Sequence, residues 1–186
     1  MISEVDTTIT PGRLIWITGL AGAGKTTIGR RIYAYLRRQK PNVVFLDGDE
    51  LRTVLGGSAG YSRAERLALA MTYCRLCKTL CAQGLEVVCA TVSLFWECHK
   101  WNRNNFPRYF EIYVQASLET LITRDHKQLY SRALQGELRN VVGIDLEFEP
   151  PAEPDLVVRN DGSSDNIDSL VDAVCALLER HKMDTP

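Results

Sequence analysis

Short apolar runs alternate along this chain with longer stretches in which apolar residues recur every three or four positions. Leu14 to Thr18 (LIWIT), Val43 to Leu46, Leu85 to Ala90, Tyr109 to Val114 and Asp155 to Val158 read as strands, being short and rich in β-branched or aromatic residues. Helical spacing runs from Lys25 to about Arg38, from Arg63 to Gln83 with Gly84 as the stop, from Leu118 to Asp125, and roughly from Ser164 to Arg180. Glu50 to Leu55 predicts a short helix, Gly56 to Ser62 a loop, and Phe95 to Asn105 a helical or mixed segment. Strand follows helix throughout, and each parallel crossover needs a dozen or so residues. The pattern therefore predicts an α/β fold of three layers, with a central, mostly parallel sheet of about five strands.

The alternation breaks between Asp125 and Pro154, a polar stretch with basic residues, glycines and prolines and one short helix near Tyr130 to Gln135. A connection this long inside a compact domain reads as a functional lid. The expected organisation is one domain over residues 13–186, with a lid at about 125–154 and a flexible N-terminal segment over 1–12.

Composition narrows the partners. Hydrophobic residues make up 45% and charged residues 24%, near the average for globular proteins, so neither disorder nor a membrane span is indicated. A net charge of −1 gives no long-range pull toward nucleic acid or an anionic membrane, so any anion site is local. The first ten residues lack the basic start and apolar run of a signal peptide, which makes the cytoplasm the expected compartment and thiols the expected state of the six cysteines. Cys74, Cys77 and Cys81 share the spacing of one buried helix face, and no second cysteine pair completes a zinc site. His99, His126 and His181 read as surface or locally hydrogen-bonded residues. Phe95, Trp96 and Trp101 fit core or interface positions as well as pocket walls.

Gly19-Leu20-Ala21-Gly22-Ala23-Gly24-Lys25-Thr26 matches G-x-x-x-x-G-K-[ST] in full, between a strand and a helix. Glycines let the backbone N–H groups wrap a polyphosphate, the helix N-terminus adds positive potential, Lys25 reaches the β- and γ-phosphates, and the Thr26 hydroxyl ligates Mg²⁺. The motif predicts nucleoside triphosphate binding and leaves kinase, hydrolase and switch open. Asp47-Gly48-Asp49 ends the second strand and should emerge beside this cradle, where one carboxylate can deprotonate a hydroxyl and another can hold Mg²⁺ through water. The same tripeptide would also make a good surface turn.

These residues, with Leu46-Asp47-Gly48-Asp49 and Arg52, Gly60-Tyr61-Ser62 and Arg66, Arg124 through Tyr130, Gly136-Glu137, Gly143-Ile144-Asp145 and Glu149-Pro150, resemble the adenylylsulfate (APS) kinase family over about residues 13 to 160. The family phosphorylates the ribose 3′-hydroxyl of APS. The resemblance implies ATP as co-substrate with Mg²⁺, a small nucleotide-type acceptor and a homodimer. It makes Asp49 the general base and Lys25 and Lys127 its catalytic companions, with Lys127 screening charge across the transferring phosphoryl group. Thr27 and Arg124 join residues 19–26 on ATP. Asp47, Arg52, Tyr61, Arg66, Val92, Ser93, Leu129 and Val141 join Asp49 and Lys127 on the acceptor, and Thr26 and Asp47 hold the metal.

The departures from the family fall on the acceptor side. Family members usually read Asp-Arg, then Asn and an arginine pair after Gly-Tyr-Ser, where this chain has Glu65-Arg66, Leu69, Met71 and Thr72. The usual Phe-Thr-Gly-Ile-Asp, whose Phe stacks on the adenine, is Val141-Val142-Gly143-Ile144-Asp145, and Ile-Ser-Pro is Val92-Ser93-Leu94. Base stacking on an aromatic ring is worth about 1–3 kcal/mol, so loss of that Phe alone weakens an adenine acceptor roughly ten- to a hundredfold. Gly48-Asp49-Glu50, Ser93-Leu94-Phe95, Trp101-Asn102-Arg103 and Asn140 through Asp145 resemble instead kinases for cytidine diphosphoramidate that serve capsular polysaccharide modification. Cytidine diphosphoramidate is thus the expected acceptor, APS the alternative, and a non-catalytic P-loop switch the reading from another class. A nucleic-acid kinase is disfavoured by the missing basic stripe.

Overall fold

The computed structural model describes residues 9–55, 60–125, 128–162 and 167–183. Five strands, β1 (Leu14–Thr18), β2 (Val43–Asp47), β3 (Glu86–Thr91), β4 (Tyr109–Gln115) and β5 (Leu156–Arg159), form one sheet in the order β2-β3-β1-β4-β5. Every pairing among them is parallel, so the expectation of a mostly parallel sheet becomes an all-parallel one. The helices are α1 (Lys25–Gln39), α2 (Gly48–Leu55), α3 (Arg63–Ala82), α4 (Trp96–Asn105), α5 (Leu118–Thr123), α6 (Leu129–Leu134) and α7 (Ile167–Met183).

β1 lies at the centre, between β3 and β4, and all five of its residues are buried. A strand covered on both faces has no solvent side, which is why its sequence is a continuous apolar run. Its side chains divide between two cores: Ile15 and Ile17 pack with Ile28, Ile32 and Leu36 of α1 and with Val174 and Leu178 of α7. Leu14 and Trp16 pack on the other face with Tyr73, Cys74 and Cys77 of α3 and Cys98 of α4. The helices thus sit on both faces of the sheet.

α3 starts at a capping box. Ser62 Oγ accepts from the Glu65 N–H, and the Glu65 carboxylate accepts from the Ser62 N–H at 3.1 Å. All six cysteines are buried thiols, and burial pushes Cys81 up to about 12. The Cys98 thiol is raised by its contact with Cys74 and then by burial. Trp101 packs partly buried against the α3–α4 core, whereas Trp96 is 54% exposed.

Of the two readings given for the histidines, surface or hydrogen-bonded, His99 takes the second. It faces β4 from the covered side of α4, is buried, and its Nδ1 lies 2.7 Å from Glu111 Oε1. His126, the His181 side chain and Ser164 lie outside what is described, as do residues 1–8 of the N-terminal segment. Gly12 of that segment is buried and donates its N–H to the Cys81 carbonyl at 2.8 Å. No helix among the described residues is long and apolar enough to cross a membrane.

Candidate active site

The phosphate-binding motif forms the turn from β1 to α1, at the C-terminal edge of the sheet. Gly19 has φ +150°, and a Cβ there would stand 2.3 Å from the Val114 carbonyl oxygen of the neighbouring strand. Gly24, at φ +100°, would place a Cβ 2.6 Å from Asn160 Nδ2. Both positions therefore require glycine for conformation and for space. Ala23 donates its N–H to the Leu20 carbonyl at 3.2 Å, closing the loop. The buried Lys25 ammonium donates to that same carbonyl at 2.7 Å, which holds it against the inner side of the turn.

Two braces steady this loop from distant parts of the chain. Asn160, buried just after β5, donates through Nδ2 to the Ala23 carbonyl at 2.9 Å. Tyr130 of α6, also buried, donates its hydroxyl to the Ala21 carbonyl at 2.8 Å. Neither was assigned a role from sequence. The available signal for Asn160 was only a polar residue at the end of a strand next to the cradle. Arg124 extends the same corner, donating to the carbonyls of Asn160 at 2.8 Å and Gly162 at 2.6 Å. Thr27 is exposed on the first turn of α1.

On the other side of the cradle, β2 runs directly into α2. The Asp-Gly-Asp segment is not a loop: Asp47 is the last strand residue, and Asp49 lies in the first turn of the helix. Asp47 is buried, with Oδ2 accepting from the Thr26 hydroxyl at 2.7 Å and Oδ1 accepting from the Asp49 N–H at 2.9 Å. Asp49 is exposed one helical residue beyond Gly48. The hydroxyl of Thr26 and the carboxylate of Asp47 are hard oxygen donors already side by side, the set that suits Mg²⁺.

Of the residues expected on the acceptor, Arg52, Tyr61 and Arg66 come together at the start of α3. Tyr61, 56% exposed, has the Arg52 guanidinium 4.1 Å and the Arg66 guanidinium 5.2 Å from its ring centroid. Arg52 donates to the Gly60 carbonyl at 2.7 Å, and Arg66 to the carbonyls of Tyr61 at 2.9 Å and Asn140 at 2.8 Å. Desolvation, and then the nearby charge of Arg52, lower the Arg66 pKa. Ser93 is buried with its hydroxyl 3.0 Å from that of Thr91. Leu129 packs partly buried on the α1 side of the core. Lys127 lies outside the described residues.

Residues 140–149 form a tightly turned loop over this region, with Asn140 at φ +62° and Gly143 at φ +91°. The Asp145 carboxylate accepts from the N–H groups of Asn140 at 2.6 Å and Val141 at 2.5 Å. Desolvation pushes the Asp145 pKa up, but those N–H donors outweigh it and hold the group below its ordinary value. Glu149 accepts from the Trp96 N–H at the start of α4 at 2.7 Å and from Arg63 at 3.1 Å, and the first of these chiefly lowers its pKa. Between this loop, α3 and the chain after β3 lies a small recess walled by Val92, Leu94, Phe95, Val142 and Leu146. Its charged rim is Arg63, Arg66 and Glu147. Val141 is buried in the core, and its neighbour Val142 lines the recess.

The structure resembles that of the Mycobacterium tuberculosis APS kinase in complex with AMPPNP and APS. The TM-score is 0.83 at 30% identity, covering 91% of this chain and 98% of that one. With the intact cradle, this fold makes the molecule a P-loop nucleotide kinase. A family model described as adenylylsulphate kinase matches residues 11–159. The chain is 46% identical over 147 residues to the cytidine diphosphoramidate kinase of Campylobacter jejuni, covering 79% of this chain and 85% of that protein. It is 38% identical over 177 residues to a probable adenylyl-sulfate kinase of Aeropyrum pernix, covering 92% and 97%. The chain belongs to the adenylylsulphate kinase family.

Proposed function

We propose that this kinase transfers the γ-phosphoryl group of ATP to the ribose 3′-hydroxyl of cytidine diphosphoramidate, in the service of capsule modification. The observation that carries the reading is the acceptor wall. Among the described residues Phe95 is the one aromatic lining the recess, and Val141, where the family usually has a stacking Phe, is turned into the core. A purine loses its second stacking partner there, while a single-ring base needs less surface. The higher identity to the Campylobacter enzyme, 46% against 38% for the Aeropyrum one, supports the same choice. APS is the second reading, favoured by Arg52 and Arg66 standing together at Tyr61.

Asp49 would accept the proton of the attacking hydroxyl, a role its exposed place at the start of α2 supports. Lys25 and the N–H groups of residues 19–26 would hold the triphosphate in line, since loose phosphoryl transfer depends mostly on positioning and charge stabilisation. Thr26 and Asp47 would hold Mg²⁺, whose charge would offset that of the phosphate oxygens. Residues 125–154 would act as the lid of a single kinase domain, excluding water that would otherwise hydrolyse ATP, with Lys127 contributing positive charge.

An ADP-release assay with ATP and Mg²⁺ against cytidine diphosphoramidate, APS, CDP and AMP tests the proposal. Turnover should be highest with cytidine diphosphoramidate; efficient turnover of APS instead would overturn the acceptor. Asp49→Asn and Lys25→Ala should each lower turnover by at least a hundredfold. Near-normal turnover in Asp49→Asn would remove Asp49 as the base.

A further inference from the structure

The junction that carries Asp49 is held from two sides. On one side the Asp49 N–H donates to Asp47 Oδ1 at 2.9 Å while Asp47 Oδ2 takes the Thr26 hydroxyl, so the start of α2 is tied to the first turn of α1. On the other side Gly48 lies against the end of β3, where a Cβ would stand 2.9 Å from Thr91 Oγ1 and 3.1 Å from both the Ala90 carbonyl oxygen and Thr91 Cα. Gly48 is not among the glycines with positive φ, so space alone demands a glycine there. The hydroxyl pressed against it is itself fixed: Thr91 and Ser93 are both buried, and their hydroxyl oxygens lie 3.0 Å apart. That hydrogen bond, added to the stiffness of a β-branched side chain, holds Thr91 in one rotamer.

We propose that Thr91 is a positioning residue for Asp49, setting where α2 starts and so how the Asp49 carboxylate meets the attacking hydroxyl. This rests on the base role proposed for Asp49 and adds the residue behind it. Thr91 is buried and acts through Gly48, the residue before Asp49. A methyl group in place of the Thr91 oxygen is bulkier and makes no hydrogen bond. It would push the first turn of α2 away from β3 and leave the Ser93 hydroxyl without its partner. Phosphoryl transfer depends mostly on positioning, and a misplacement of about 1 Å costs about a hundredfold in rate. A smaller displacement of the base, passed on from Gly48, is therefore enough to register in kcat.

The test is a double-mutant cycle that combines Thr91→Val and Thr91→Ser with Asp49→Asn, read by ADP release with cytidine diphosphoramidate and APS as acceptors. Thr91→Val should lower kcat at least tenfold with KM for ATP within about twofold of wild type. Thr91→Ser, which keeps the oxygen, should restore kcat to within about threefold. In the Asp49→Asn background Thr91→Val should change the residual turnover less than twofold, because a displaced base matters only while the base is present. An equal loss in both backgrounds overturns the inference and leaves Asp49 as the base. Near-normal turnover in Asp49→Asn strikes the base, and the inference with it. If Thr91→Val does not fold, Thr91→Ala takes its place with the same expectations. Wild type that turns over neither acceptor strikes the proposed function instead, and backbone amide NMR shifts then read the contact without turnover. Thr91→Val should move the Gly48 and Asp49 resonances and Thr91→Ser should leave them in place; resonances that Thr91→Val does not move overturn the inference.

Discussion

Asn160 and Tyr130 show how a phosphate cradle depends on residues outside its motif. Each donates to a loop carbonyl, across 137 and 109 positions of sequence respectively, and so ties down the backbone of the loop. Removing one such buried hydrogen bond costs about 1–3 kcal/mol. Asn160→Ala and Tyr130→Phe should each lower stability by that order in urea unfolding, and should raise KM for ATP severalfold with a smaller change in kcat. Sequence spacing made Lys25, Thr26 and Asp47 legible because the motif ties their chemistry to fixed offsets. It carried no information on Asn160, whose role exists only once β5 is laid beside β4. The Val141 and Val142 pair has the same origin: adjacent residues on a tight turn point opposite ways, and only the backbone at Asn140 and Gly143 decides which faces the recess.

At the scale of elements, the periodicity of apolar residues located every strand and long helix, because each buries one stripe or both faces. The junction of β2 and α2 escaped it. Asp-Gly-Asp has turn chemistry, yet Gly48 is set so close to β3 that a Cβ would stand 2.9 Å from Thr91 Oγ1, and the chain passes straight from strand to helix. The loop at 140–149 is also an element in its own right, pinned by Asp145 and Glu149. Both carboxyl groups sit below their ordinary values in the folded chain. A depressed folded pKa stabilises fully above the unfolded value, about 3.9 for Asp and 4.3 for Glu, and that stabilisation disappears as pH falls through the folded value. Amide exchange of this loop, corrected for intrinsic rates, should therefore be steady from about pH 6 to 8 and accelerate below about pH 4. Glu149→Gln should remove part of that acid sensitivity.

Across the whole molecule, six thiols are sealed inside, and burial pushes Cys175 up to about 11 and Cys81 to about 12, which makes those two poor nucleophiles. A disulfide reagent at neutral pH should react slowly with the native protein and with all six thiols at once in denaturant; rapid native labelling would contradict the packing described. The strand order also separates two tasks. β1, β4 and the end of β5 carry and brace the phosphate-binding loop, while β2, β3 and the helices after them carry Asp49 and, together with the 140–149 loop, the recess. Such a division lets one half drift while the other is held fixed. On the function proposed above, a lineage can thus inherit its energy source unchanged and retool only the far side for a new alcohol, so exchanging residues 47–95 together with 140–149 between two relatives should transplant the choice of acceptor as a cassette.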